Sequence, residues 1–188
     1  MANSDLGLWL DGVSETVNSY RKMIDATVAQ LTDEELHKRP AAGFNSVASI
    51  LRHLGGNLQS RWTDFLETDG EKPARNRDTE FDDWAGDRDS LLKYFNAGWE
   101  KLTSAIRGIT ESNVNEPLFI RGERHTVPQA IIRSLTHLSY HVGQICMIAR
   151  MVHEGEWKWL TIAPGKSAQH NESTWGTAAS RSVGGSEE

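Results

Sequence analysis

Apolar residues recur at spacings of three and four along four long segments, and this period constrains the fold more than any other feature. Such spacing places apolar side chains on one face of an α-helix. The first segment runs from about Asp5 to Leu31, and the fourth ends near Val152. Helices with seams of this kind pack nearly parallel or antiparallel in bundles. The stripes are Leu10, Val13, Val17, Tyr20, Ile24 and Val28; Val47, Ile50, Leu54, Leu58, Trp62 and Phe65; Leu91, Tyr94, Phe95, Trp99, Leu102 and Ile106; and Ile131, Leu135, Leu138, Val142, Ile145 and Ala149.

Helix-start signals support this division. Thr32 opens a Thr-Asp-Glu-Glu capping box, which predicts a short helical turn ending before Pro40. A second capping box begins at Thr126 and has a proline in its first turn, so it predicts the start of the fourth helix. The second helix has Asn45 or Ser46 as its candidate cap, and the third has Asp87.

The remaining segments have no helical period. Residues 68–86 form a charged, irregular connection, and a polar Arg-Gly-Glu turn near residue 122 predicts a hairpin between about residues 117 and 127. We therefore predict an all-α fold: a four-helix bundle with a short β-hairpin before the fourth helix and an irregular C-terminal tail. The bundle is expected over residues 1–160 and the tail over 161–188, with a disordered end.

Charge and composition exclude several classes of protein. The net charge is −6, and no cluster of Lys and Arg forms the stripe that a nucleic-acid phosphate backbone requires. The N-terminus lacks the basic region of a signal peptide, and apolar runs fall far short of the roughly 20 residues that span a bilayer. Cys146 is the single cysteine, so no internal disulfide can form. These features favour a cytoplasmic enzyme or binding protein that contacts neither nucleic acid nor membrane.

Three histidines border the apolar stripes of two helices. His137 and His141 are four residues apart, so both imidazoles can reach one metal ion at about 2.0–2.1 Å. His53 has an equivalent place on the second helix, and bundles often build metal sites from facing helices. Three histidines would leave a coordination position for water or substrate, as in catalytic sites. An isolated pair at this spacing is a weak signal, so the combination of three carries the hypothesis.

Two glycines follow His53 inside the second helix. Gly55 and Gly56 each cost roughly 1 kcal/mol relative to alanine in a helix. Close approach of another helix or of a ligand would explain why they occur there.

Other polar residues have competing interpretations. Asn57 and Gln144 lie near the histidine face and are candidate pocket residues, which would orient a metal-bound water or hydrogen-bond to a ligand, or simply line the bundle mouth. Arg61 and Arg121 could bind an anionic substrate or pair with surface carboxylates. The remaining histidines are interpreted as surface residues: His37, His125, His153 and His170.

The order of these motifs resembles a known family. A long helix, the histidine of ILRHLGGN, a charged link, a third helix and THLSYHVGQI are similar to the DinB-like (YfiT-like) putative metalloprotein superfamily over roughly residues 5–152. The resemblance implies a four-helix bundle in which His53, His137 and His141 bind a divalent metal. The segments SRWTDFLETDGEKPARNRD, IRGE and WKWLTIAPGKS are similar to a branch of unknown function. Related branches include S-transferases and isomerases that use low-molecular-weight thiols such as mycothiol or bacillithiol.

These observations predict a metal-dependent enzyme acting on a small molecule. The metal would be Zn or Ni, with Fe and Co as alternatives. It would lower the pKa of a bound thiol or water. No additional general base is visible, which favours a thiol-dependent transferase over a hydrolase and leaves the catalytic residues unassigned. The alternatives are a non-catalytic metal-dependent protein that binds a small ligand or acts in stress response, and a partner-binding bundle without metal.

The tryptophans of the tail indicate an interface. Trp157, Trp159 and Trp175 are expected to pack on the bundle or on a second subunit, where aromatic anchors are enriched. A homodimer is therefore predicted.

Overall fold

The computed structural model describes residues 4–174, which are mostly helical. They form two compact units, one ending at Gly155 and the other beginning at Glu156. Within the described residues there are six α-helices, one 3-10 turn and one two-stranded antiparallel sheet. The elements are α1 (Asp5–Val28), α2 (Asp33–His37), α3 (Val47–Trp62), the 3-10 turn (Asp78–Phe81), α4 (Arg88–Arg107), β1 (Pro117–Ile120), β2 (Glu123–Thr126), α5 (Val127–Val152) and α6 (Ser167–Thr174).

The predicted helix starts are confirmed. Both capping boxes are present, at Thr32 and at Thr126, and Asp87 caps α4 by accepting from the Ser90 N–H. Of the two candidates for α3, Ser46 is the cap. Helix α1 ends at Val28, slightly before the predicted Leu31, and α3 ends at Trp62, before the last residue of its predicted stripe, Phe65. Helix α5 ends at Val152, as predicted.

Helix α3 lies at the centre of the first unit. It packs against α2, α4, α5 and the 3-10 turn, while α1 packs mainly against α5. Most of its residues are therefore buried, including the polar residues that lie beside its apolar stripe. This position explains why a histidine on α3 can be withdrawn from solvent. Fully buried apolar side chains at these contacts include Ile24, Leu51, Leu54, Phe95 and Leu138.

The expected close approach at the α3 glycines is confirmed, and the neighbour is α4. A Cβ on Gly55 would lie 2.8 Å from the ring of Tyr94 and 3.1 Å from the backbone of Phe95. A Cβ on Gly98 of α4 would collide with the carbonyl oxygen of Gly55. The two helices therefore cross backbone to backbone at Gly55 and Gly98, which offsets the low helix propensity of both residues.

The predicted hairpin is present. Pro117 pairs with Thr126 and Ile120 with Glu123, and the turn residues Arg121 and Gly122 have positive φ values of 56° and 75°. Asp69 accepts hydrogen bonds from both turn N–H groups, at 2.8 and 2.7 Å. This carboxylate ties the hairpin to the segment that follows α3.

The tail is not entirely irregular, which corrects the prediction. Helix α6 forms over Ser167–Thr174. Its sequence has no apolar stripe, so the periodicity that revealed the long helices could not reveal it. Trp175 and the expected disordered end lie outside the described residues. Between residues 4 and 174, no helix has both the length and the apolar character needed to cross a membrane.

Candidate metal centre

Three histidine nitrogens converge between α3 and α5. The Nε2 atom of His137 lies 3.1 Å from Nε2 of His53 and 3.1 Å from Nε2 of His141. One ring nitrogen from each of the three histidines lies within 4.8 Å of the others. The i,i+4 spacing on α5 brings two of these rings together, and the packing of α3 against α5 supplies the third. The three histidines are therefore close enough to bind a metal ion.

The far nitrogens of two rings are held by hydrogen bonds. His53 Nδ1 lies 2.8 Å from the Oε2 atom of Glu80, and His141 Nδ1 lies 2.8 Å from the Oε1 atom of Gln144. The Phe81 ring stacks on the His53 ring with centroids 4.6 Å apart. Hydrogen bonds of this kind fix the tautomer and the orientation of a metal-binding histidine, since the nitrogen that faces the metal must carry a lone pair.

Electrostatics favour neutral imidazoles at His137 and His141 and an ionised carboxylate at Glu80. Burial alone would raise the pKa of Glu80, but hydrogen bonds and charges from His53 and Arg75 outweigh it and lower that pKa below its usual value. Burial, and then repulsion from His141 and His53, lowers the pKa of His137 to about 3. Burial and repulsion from His53 lower the pKa of His141 to about 4, although its hydrogen bond to Gln144 opposes the shift. At neutral pH, His137 and His141 are therefore uncharged, as metal ligands must be.

The donor set fits a divalent cation. Glu80 and Gln144 can accept hydrogen bonds from the Nδ1 atoms of His53 and His141, and this tautomer directs the Nε2 lone pair of each ring toward His137. His137 can donate one proton to only one of these two atoms, which leaves one Nε2 pair with facing lone pairs. A cation between the rings would remove that repulsion. Nitrogen ligands about 2.0–2.1 Å from a tetrahedral zinc are about 3.3 Å apart. Two of the three nitrogen pairs are 3.1 Å apart, and the third, between His53 and His141, is within 4.8 Å.

The other predicted site residues lie close to this cluster. Asn57 lines a cavity together with His53 and His137, and Arg61 and Arg121 line the same cavity. Gln144 contacts His141 as described above. The interpretation of His153 as a surface residue is wrong. This side chain is largely buried, and its Nδ1 lies 3.1 Å from Glu35 Oε1.

Glu80 and Arg75 were missed by the sequence reasoning. Both lie in the connection at 68–86, which has no helical or strand period. Arg75 donates to both carboxylate oxygens of Glu80 at 2.8 Å, and Gly56 leaves the room that this carboxylate occupies. Phe81 offered a signal, because an aromatic residue within a charged segment indicates a contact with the core. The choice among the neighbouring acidic residues required the fold.

Comparison with known protein families gave one match. A family model described as "Protein of unknown function (DUF1572)" matches residues 5–166. No curated protein matches the chain.

Proposed function

The chain belongs to the DUF1572 family of proteins of unknown function, and from this membership and the histidine cluster we propose a divalent-metal-dependent enzyme that acts on a small molecule. The observation that carries the proposal is the convergence of three Nε2 atoms on one point between α3 and α5. His53, His137 and His141 hold the ion, which is Zn or Ni, with Fe or Co as alternatives.

We also propose that the chain is a member of the DinB-like superfamily and has the four-helix bundle of that superfamily. Helices α1, α3, α4 and α5 are long and amphipathic, and α3 packs against both α4 and α5. These four helices form a four-helix bundle in which the metal site lies between two facing members. The histidine order along the chain supports the same assignment, as do the segments ILRHLGGN and THLSYHVGQI.

The reaction that we propose is the transfer of a low-molecular-weight thiol to an electrophilic small molecule. A divalent metal, when bound, supplies Lewis acidity that lowers the pKa of a coordinated thiol. The thiol sulfur forms a bond to carbon while the bond from carbon to its leaving group breaks; the leaving group takes that electron pair, and the thiol proton passes to solvent. Glu80 and Gln144 hold the His53 and His141 rings in place, and His137 is partly exposed toward the adjoining cavity.

Turnover with a panel of thiols and electrophiles tests the activity. Tag-free protein loaded with Zn or Ni should form thioether from a low-molecular-weight thiol and a haloaromatic electrophile, and removal of the metal should abolish the reaction. Tight binding of a thiol without turnover would favour the alternative, a non-catalytic metal-dependent binding or stress-response protein. Hydrolysis of an ester panel without thioether formation would instead indicate a hydrolase.

Glu80→Gln is expected to lower the affinity for Zn by about 10–100-fold. The amide keeps the shape of the side chain but removes the negative charge that holds the His53 ring. Competition with a chromogenic chelator measures the affinity. The matched control is Glu71→Gln, since Glu71 pairs with the same Arg75 and makes no hydrogen bond to a described histidine. Equal Zn affinity in the Glu80 variant and wild type would show that this carboxylate does not support the site.

We also propose that the protein is a homodimer through the outer face of α5. Several large apolar side chains of this helix are exposed, and apolar surface of this kind is typical of interfaces. They are Ile132, Tyr140, Met147 and Met151. Sedimentation should give the mass of a dimer for wild type and of a monomer for Met147→Glu. A monomeric wild type at micromolar concentration would exclude this interface.

A further inference from the structure

Five arginine side chains line one cavity beside the histidine cluster. The cavity has a volume of about 530 Å³, and its wall includes both His53 and His137. Among the described residues, no Asp or Glu lines it. This concentration of positive charge occurs in a chain whose net charge is −6. The arginines are Arg61, Arg75, Arg77, Arg121 and Arg133.

The neighbouring carboxylates neutralise only part of this charge. Arg75 pairs with Glu80 and Glu71, and Arg121 pairs with Glu71 at 3.1 Å. No ion pair within the described part of the chain involves the other three arginines of the cavity wall. Glu71 and Glu80 therefore form ion pairs with only two of the five guanidinium groups.

Arg61 is the most unusual member of the group. It is only 9% exposed, and its Nη1 atom is buried without a hydrogen-bond partner in the described structure. Gly70 makes room for it, since a Cβ there would lie 3.0 Å from Arg61 Cδ. Burial, and then repulsion from Arg133, lowers the pKa of Arg61 to about 10, so the group remains a cation at neutral pH. A buried cationic N–H group without a hydrogen-bond partner is costly to folding, and a bound anion would compensate for it.

We propose that this arginine cavity binds the carboxylate or phosphate group of the substrate and holds the other end of that molecule at the three histidines. The inference rests on the proposed function, because the histidines define the reactive end. Guanidinium groups bind both kinds of oxyanion through paired N–H donors, which gives orientation as well as affinity. A volume of about 530 Å³ suits a metabolite-sized ligand. Arg61 and Arg133, which have no carboxylate partner among the described residues, are the principal contacts.

Calorimetric titration of the metal-free protein tests the cavity independently of the metal. The probes are succinate and inorganic phosphate, which distinguish a carboxylate from a phosphate ligand. Wild type should bind at least one of them, and Arg61→Met and Arg133→Met should each weaken binding by at least about tenfold. Arg107→Met is the matched control: it removes the same charge from an exposed position on α4 and should bind like wild type.

Thermal stability gives a second readout that separates binding from folding. Methionine fills a similar volume without a desolvated charge, so Arg61→Met should melt at a higher temperature than wild type when no anion is present. A structural role for Arg61 would lower the melting temperature instead.

Three results would overturn the inference. They are failure of wild type to bind either anion, undiminished anion binding by Arg61→Met, and a lower melting temperature for that variant. Metal binding without anion binding would leave the proposed function intact, whereas anion binding without metal binding would refute the placement of the reactive end.

Discussion

His137→Ala is expected to reduce the bound metal from about one ion per chain to nearly none, because a three-nitrogen site would lose its central ligand. His137 Nε2 lies 3.1 Å from the Nε2 atoms of both other histidines. Its removal leaves only His53 and His141 as ligands. Elemental analysis of tag-free protein, reconstituted with Zn or Ni and freed of excess ion, measures the stoichiometry. His53→Ala should show the same loss.

The matched control is His125→Ala. This histidine lies on β2 outside the cluster, and its Nδ1 contacts the carbonyl oxygen of Glu123. The variant should retain the full metal content. Metal should also raise the melting temperature of wild type and leave that of His137→Ala unchanged, since a ligand that binds only the folded state stabilises it. A wild type that stays empty after incubation with Zn, Ni, Fe and Co would refute the metal site.

Gly98→Ala is expected to lower the free energy of unfolding by about 3 kcal/mol, at the upper end of the usual cost of overpacking. The added Cβ would collide with the backbone carbonyl oxygen of Gly55, which cannot rotate away as a side chain would. Helices α3 and α4 would have to separate, and the buried contacts of Phe95 beside the crossing would loosen. Urea unfolding of the metal-free protein measures the change.

Gly12→Ala provides the comparison. Nothing lies within 4 Å of the position that a Cβ would take on Gly12 of α1. Alanine there should stabilise the protein by up to about 1 kcal/mol through helix propensity alone. If Gly98→Ala were as stable as Gly12→Ala, the close crossing of α3 and α4 would be wrong.

The repeating features of the fold could be predicted from the sequence because they depend on local geometry. The apolar stripes, the capping boxes at Thr32 and Thr126 and the hairpin turn all involve residues within a few positions of one another. The pairing of His137 with His141 follows from the same helical period. Helix α6 was missed because a short exposed helix requires no apolar stripe.

Interactions that join distant segments were harder to predict. His53 is 84 positions from His137, and the helical pattern alone does not determine which residue of α3 faces α5. The place of His53 beside the apolar stripe of its helix suggested that pairing, and the resemblance to the DinB-like superfamily supported it. The partner of Gly55 could be described only as a helix or a ligand, since the identity of Gly98 depends on how α3 and α4 cross.

The sequence by itself determined the four long helices, their starts and the histidine pair on α5, because a helix repeats the same backbone geometry and sets the neighbours of each residue locally. Only the tertiary structure decided that Glu80 holds His53 and that five arginines line one cavity. The physical reason is that residues 68–86 have no repeating backbone geometry. Their conformation depends on contacts with α3 and the hairpin, such as the hydrogen bonds of Asp69 to the hairpin turn. That segment contains several acidic residues, and only its folded conformation shows that Glu80 is the one beside His53.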